Sequence, residues 1–211
     1  MNSKIIIVAG YVAAGKTTFA LNLSKELNIP CFSKDLLKLA ISRSIPVNNR
    51  EDGKRLSAAT FDAIAFITEK FMETGMPLII EANFVMTENH NNIREGETLK
   101  LLIDKYGYQT LTYILLGDSR VLCDRFNERE KTPERGEANK IGIEISYENY
   151  DRYIIPLGDF TVGGEIIKID TTNFNTVDFK SHIESARKFI NSTSMKVEVQ
   201  IENNINSWSE S

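Results

Sequence analysis

The feature that most constrains this chain is the stretch Gly10-Tyr11-Val12-Ala13-Ala14-Gly15-Lys16-Thr17, set directly behind the apolar run Ile5-Ile6-Ile7-Val8-Ala9. It reads G-x-x-x-x-G-K-[ST], and the residues after it place Phe19, Ala20, Leu23 and Leu27 on helical spacing. Strand, loop and helix are expected in that order. Gly10 and Gly15 permit backbone angles that turn successive N–H groups inward on a phosphate, and the helix start adds unpaired donors and partial positive charge. Lys16 then reaches the terminal phosphates, and Thr17 offers a hydroxyl to Mg²⁺. The expected nucleotide-binding set is Gly10, Ala13, Ala14, Gly15, Lys16, Thr17 and Thr18.

Composition bounds what surrounds such a loop. A chain of 211 residues, 42% of them hydrophobic, can bury one sizeable core, so we expect one domain with a lid. The net charge of −4 is mixed along the sequence and argues against a surface that coats long nucleic acid. No run approaches the roughly 18 apolar residues of a membrane span. Met1-Asn2-Ser3-Lys4 leads into the first strand and not into a signal peptide, so a cytoplasmic protein with no membrane partner is expected. Cys31 and Cys123 lack C-x-x-C spacing and read as buried free thiols.

Further along, Cys31-Phe32 reads as a short second strand, and Ser33-Lys34-Asp35 precedes a helical pattern through Ile41. Residues 44–53 carry Pro46 and read as a loop or broken helix. From Leu56 to Phe71 the apolar positions keep three-four spacing, and Gly75 and Pro77 stop that helix. Leu78-Ile79-Ile80 is a buried strand ending in Glu81-Ala82-Asn83, so a second polar cluster stands at a strand end. In a doubly wound sheet that edge is where ligands bind. Residues 87–96 read as loop, with a helix following through Tyr106, a strand over Thr110–Leu116, and a helix capped by Asp118 or Ser119 that carries Arg125 and Arg129 on one face. Asp104-Lys105-Tyr106-Gly107 reads as an ordinary helix end. Asn139-Lys140-Ile141-Gly142 has Gly142 where a guanine-reading motif needs Asp. The GTPase signatures are thus absent, which favours ATP.

Residues 130–142 read as an exposed loop that can move, giving a lid over about 128–145. A helical piece from Ser146 to Tyr153, a fifth strand over Glu165–Asp170 with Thr171-Thr172-Asn173 at its end, and a last helix over Val177–Ile190 complete a domain of residues 1–191. Residues 192–211 form a tail or an edge strand, since Val197, Val199 and Ile201 alternate with polar residues. Five strand-helix units predict a three-layer α/β fold, one parallel sheet with helices on both faces.

Phosphoryl transfer needs positioning and charge neutralisation, with an acceptor in line with the γ-phosphate. Asp35, at a strand end, is placed to take the proton of an acceptor hydroxyl, or else is a plain helix cap. Glu81 and Asn83 can order metal-bound water or bind the acceptor, and Glu81 would be costly to bury without a partner. Arg125, Arg129 and Arg135 can close over the phosphates, or pair on the surface with Asp124 or Glu128.

The arrangement resembles the small P-loop kinases of the zeta-toxin, polynucleotide 5′-kinase and chloramphenicol phosphotransferase type. The resemblance runs from about Lys4 to Asn173 and rests on the Walker A pattern, Ser33-Lys34-Asp35, Glu81-Ala82-Asn83, an arginine-bearing lid and the Thr171-Thr172 pair. It implies the P-loop NTPase fold with sheet order 2-3-1-4-5, Asp35 as general base, phosphate contacts from Arg125, Arg129 or Arg135, and an adenine contact at Thr172. No D-x-x-G follows the third strand, so Glu81 is a loose counterpart of a Walker B metal-organising acid.

The expected activity is ATP- and Mg²⁺-dependent transfer of the γ-phosphoryl group to a hydroxyl of a small molecule. Lys16, Asp35, Arg125 and Arg129 would be catalytic, and Thr17 and Glu81 would face the metal. Asp35, Glu81, Asn83 and Arg135 would bind the acceptor, and Arg125 and Thr172 would join the nucleotide set. One rival is a nucleoside or polynucleotide 5′-hydroxyl kinase acting on short nucleic acid along Lys34, Lys38, Arg43 and Arg50. Another is a nucleotide-dependent switch or ATPase that binds a partner and has no acceptor.

Overall fold

The computed structural model describes residues 3–84, 93–133, 136, 139–140, 142–154, 157 and 160–192. In chain order the elements are β1 (Lys4–Gly10), α1 (Lys16–Leu27), β2 (Cys31–Ser33), α2 (Lys34–Ser42), α3 (Arg50–Glu73), β3 (Leu78–Glu81), α4 (Ile93–Tyr106), β4 (Gln109–Leu116), α5 (Ser119–Glu130), α6 (Tyr147–Ile154), β5 (Glu165–Asp170) and α7 (Phe179–Asn191), with a short 3-10 turn at Phe174–Thr176.

The strands form one five-stranded sheet in the order β2-β3-β1-β4-β5, every pair parallel, as the resemblance implied. β1 is central, and its seven residues are all buried, which is why its sequence after Lys4 is a continuous apolar run without alternation. The alternation survives in what each side chain meets. Ile6 and Val8 join Phe19, Leu23, Tyr113, Leu115, Leu122, Phe126, Tyr150 and Ala186 on one face, under α1, α5, α6 and α7. Ile5, Ile7 and Ala9 join Phe61, Ile64, Met72, Leu78, Ile80, Leu99 and Ile103 on the other, under α3 and α4. Each fully buried aliphatic side chain stabilises the fold by about 1.5–3 kcal/mol.

Two local expectations are corrected. α3 begins at Arg50, inside the stretch read as a loop or broken helix, because the Asn49 side chain accepts from the Asp52 N–H and so starts the helix three residues ahead of Gly53. Likewise α4 begins at Ile93, inside the stretch 87–96, whose residues 87–92 lie outside the described set. The proposed tail also lies outside it from residue 193 onward.

At the edge of the sheet remote from the phosphate loop, Lys4 is fully buried, and its ammonium donates to the carbonyls of Phe189, Ile190 and Ser192 at the end of α7. It also reaches the Ser192 hydroxyl at 2.6 Å. First strand and last helix are thereby joined. Cys31 is half-buried and Cys123 buried, both as free thiols. Burial and the nearby Glu81 carboxylate push the Cys31 thiol up to about 12. Among the described residues no helix is long and apolar enough to cross a membrane.

Candidate active site

β1 ends at Gly10, whose φ of 116° places it where a Cβ would meet the Leu115 carbonyl oxygen at 2.1 Å. Only glycine fits that close approach to β4, and the next N–H, of Tyr11, donates to the same carbonyl at 2.7 Å. The chain then turns through Ala13, held at φ 60°, to Gly15, the left-handed N-cap of α1. No side chain caps this helix. A helix start of this kind suits an anion.

The cleft in front of that turn is lined by Val12, Ala13, Gly15, Lys16, Thr17, Thr18, Asp35, Glu81, Asn83 and Arg129. All of these except Val12 are among the residues singled out from the sequence. The other expected residues fall elsewhere. Gly10 and Ala14 shape the loop from behind, Ala14 fully buried. Arg135 lies outside the described residues.

Lys16 is 7% exposed, and its ammonium donates to the Tyr11 carbonyl at 2.7 Å, folded back on its own loop. Glu81 closes β3 at 3% exposure and pairs in register with Val8 and Ser33 on its two neighbours. Its Oε2 accepts from the Ser33 hydroxyl and, at 3.2 Å, from the Thr17 hydroxyl. Burial pushes the Glu81 carboxyl up, Lys16 opposes the shift, and Asp35 adds to it. Ser33 thus has two tasks, since its oxygen also accepts from the Leu36 N–H and caps α2. That cap sets Asp35 in the first turn of α2, facing the cleft.

Mg²⁺ binds through one or two protein oxygens and completes its shell with water and phosphate oxygens. Thr17 Oγ1 and the buried Glu81 carboxylate fit that demand, as hard oxygen donors beside the lysine that would meet the same phosphates. Among the described residues no group of three or more His, Cys, Asp or Glu gathers into a self-sufficient metal site.

Arg129 lines the cleft, whereas the Arg125 guanidinium spans the carbonyls of Thr171 and Thr172, each at 2.7 Å, and lies 4.3 Å from the Phe174 ring centroid. The Phe174 ring in turn sits where a Cβ on Gly15 would meet it at 2.9 Å. The Thr172 hydroxyl donates to Asp170 at 2.6 Å and accepts from the Asp118 N–H at 2.7 Å. Arg125, Thr172 and Phe174 therefore form one packed corner next to the phosphate loop.

Sequence reasoning missed four contacts. Lys34 is 7% exposed and ion-paired with Glu95, also buried, so it is not part of an exposed basic track; Arg43 and Arg50 remain exposed. Asn139 donates to the Asp35 carbonyl at 3.1 Å, and Gly136 packs where a Cβ would meet Leu39 at 2.3 Å, so the lid stretch rests on α2. Tyr150 reaches the Val12 carbonyl at 2.5 Å. All four join residues far apart in the chain, so none has a local signal.

The sheet order, the glycine-bounded phosphate loop and the flanking helices define the P-loop kinase fold. No family model matches the chain, and no curated protein matches it in sequence. Solved structures do match. A protein of Chloroflexus aurantiacus J-10-fl, described provisionally as a kinase, superposes with a TM-score of 0.78 at 21% identity, covering 90% of this chain and 99% of that one. The APS kinase CysC of Mycobacterium tuberculosis, solved with AMPPNP and APS, gives 0.53 at 11% identity, covering 90% and 99%. A sugar kinase of Janibacter sp. HTCC2649 gives 0.52 at 16%, covering 89% and 94%. At these identities the likeness is one of fold.

Proposed function

We propose that the chain is an ATP- and Mg²⁺-dependent kinase that transfers the γ-phosphoryl group to a hydroxyl of a small-molecule acceptor. The observation that carries this reading is the convergence of Lys16, Thr17, Asp35, Glu81, Asn83 and Arg129 on one cleft at the phosphate loop. A nucleotide-binding switch needs only the first two of these.

In this reading Lys16 leaves the Tyr11 carbonyl for the β- and γ-phosphoryl oxygens, and N–H groups of the loop and of the first turn of α1 hold the rest of the polyphosphate. Thr17 and Glu81 hold Mg²⁺, which when bound neutralises charge across the phosphoryl oxygens. Asp35 accepts the proton of the acceptor hydroxyl as its oxygen bonds to the γ-phosphorus and the bond to the bridging oxygen of ADP breaks. Asn83 and Glu81 orient the acceptor, together with Arg135, and Arg129 offsets charge on the moving phosphoryl group. Arg125 and Thr172 build the corner that receives adenine. Residues 1–191 act as one unit with a lid over about 128–145, followed by the tail 192–211, and the unit works in the cytoplasm. Grouping with the zeta-toxin, polynucleotide 5′-kinase and chloramphenicol phosphotransferase type rests on Ser33-Lys34-Asp35 and Glu81-Ala82-Asn83 and is part of this proposal.

The test is transfer of label from γ-labelled ATP with Mg²⁺ to pools of sugars, nucleosides, short oligonucleotides, nucleotide sugars and antibiotics bearing hydroxyls. Label should appear on one small-molecule pool, and both Lys16→Ala and Asp35→Asn should lower transfer by at least about a hundredfold. Label released only as free phosphate, at a rate that Asp35→Asn leaves unchanged, would discard Asp35 as base and favour the switch.

A further inference from the structure

The phosphate loop is held from outside by two side chains, and only one belongs to the sequence pattern. Lys16 occupies the Tyr11 carbonyl, and the Tyr150 hydroxyl donates to the next carbonyl, that of Val12, from 138 residues away. Tyr150 is 1% exposed, with its ring 6.2 Å from that of Phe126. Across a trans peptide the C=O and the following N–H point in opposite directions. A carbonyl of Val12 fixed outward therefore turns the N–H of Ala13 inward, and Val12 and Ala13 both line the cleft. Ala13 needs such help. At φ 60° it is in the left-handed region, which costs a residue with a Cβ roughly 1–2 kcal/mol.

Tyr150 comes from α6, the first helix after the lid, and the start of that return is itself fastened to the arginine helix. The Asn127 carboxamide of α5 engages both backbone groups of Ile145, accepting from its N–H at 2.9 Å and donating to its carbonyl at 3.0 Å, a carbonyl that also accepts from the Cys123 thiol. One turn on, the Tyr147 hydroxyl donates to Asp124 at 2.9 Å. Thus α5, which carries Arg129 into the cleft, α6 and the phosphate loop are linked by a continuous set of hydrogen bonds.

We propose that Tyr150 is a positioning residue for the nucleotide polyphosphate: it sets the Val12–Ala13 peptide so that the Ala13 N–H meets a phosphoryl oxygen, and through Asn127 it ties that setting to the arginine helix. This rests on the nucleotide half of the proposed function. Tyr150→Phe removes one hydroxyl and keeps the ring, and the probes are ADP with Mg²⁺, inorganic tripolyphosphate and adenosine, each titrated by calorimetry or saturation-transfer resonance. Loss of one buried hydrogen bond that orients a phosphate ligand should weaken ADP and tripolyphosphate about tenfold and leave adenosine unchanged. Unchanged ADP affinity, or equal loss for adenosine, overturns the proposal, because a general loosening of the fold does not single out phosphates. Hydrogen exchange of the ligand-free protein gives a second reading that needs no nucleotide. The amides of residues 12–18 should exchange at least about fivefold faster in Tyr150→Phe while those of β1 and β4 do not change. If the wild type binds no ADP, the proposed function fails and the exchange result alone decides the role of Tyr150: unchanged loop exchange overturns it.

Discussion

At Glu81 a carboxyl group sits almost dry between two hydroxyl donors, with Lys16 and Asp35 pulling its proton affinity in opposite directions and burial prevailing. The folded chain therefore binds this proton more tightly than the unfolded chain, whose value is the ordinary 4.5. Its stabilising contribution is fully present below that value and is lost as pH rises through the raised folded value. Gln at this position cannot titrate. Urea unfolding of ligand-free protein from about pH 4 to about pH 8 should show the wild type losing stability relative to Glu81→Gln as pH rises. A variant that instead loses ground to the wild type as pH rises would mean that the cleft stabilises the carboxylate and that burial does not dominate.

Between elements, the Lys34–Glu95 pair ties the start of α2 to the start of α4, with the two side chains 8% and 6% exposed and the Phe61 ring 6.0 Å from the ammonium. Burial raises the Glu95 carboxyl and Lys34 draws it back down. Removing one partner strands the other: Lys34→Ala should cost about 3–5 kcal/mol, whereas Lys34→Met combined with Glu95→Leu should cost far less than the two single changes summed. A double-mutant cycle in urea checks it, and additive losses would show that the two side chains act separately. Such pairs mark the limit of what was legible in the chain. The β1–loop–α1 unit could be read because its whole logic lies within one local stretch, and β3 and β4 because strands buried on both faces are dominated by apolar and β-branched residues. The start of α3 was obscured by Pro46 and Gly53, although Asn49 and Asp52 carry a capping signal. Lys34 and Glu95 are 61 residues apart and Tyr150 and Val12 are 138 apart, so nothing in local spacing reports them. The cleft residues at strand ends were legible; what orients them was not.

Across the whole molecule, the parallel sheet puts its phosphate loop and polar strand ends at one edge and leaves the opposite edge to be closed by other means. There Lys4 gathers the last carbonyls of α7. Lys4→Met should lower stability by about 2 kcal/mol, the scale of hydrogen bonds to a charged donor, and speed amide exchange in the last turn of α7 while leaving the phosphate loop unaffected. Exchange that rises equally at both edges would show that Lys4 supports the core at large. The same contact has a meaning for how the protein folds. β1 precedes every other described element in chain order, yet the acceptors for its lysine, at residues 189, 190 and 192, lie at the end of the last described helix. Burying the central strand without that helix would leave an ammonium without these acceptors, so closure of the core and docking of the last helix are coupled in one step.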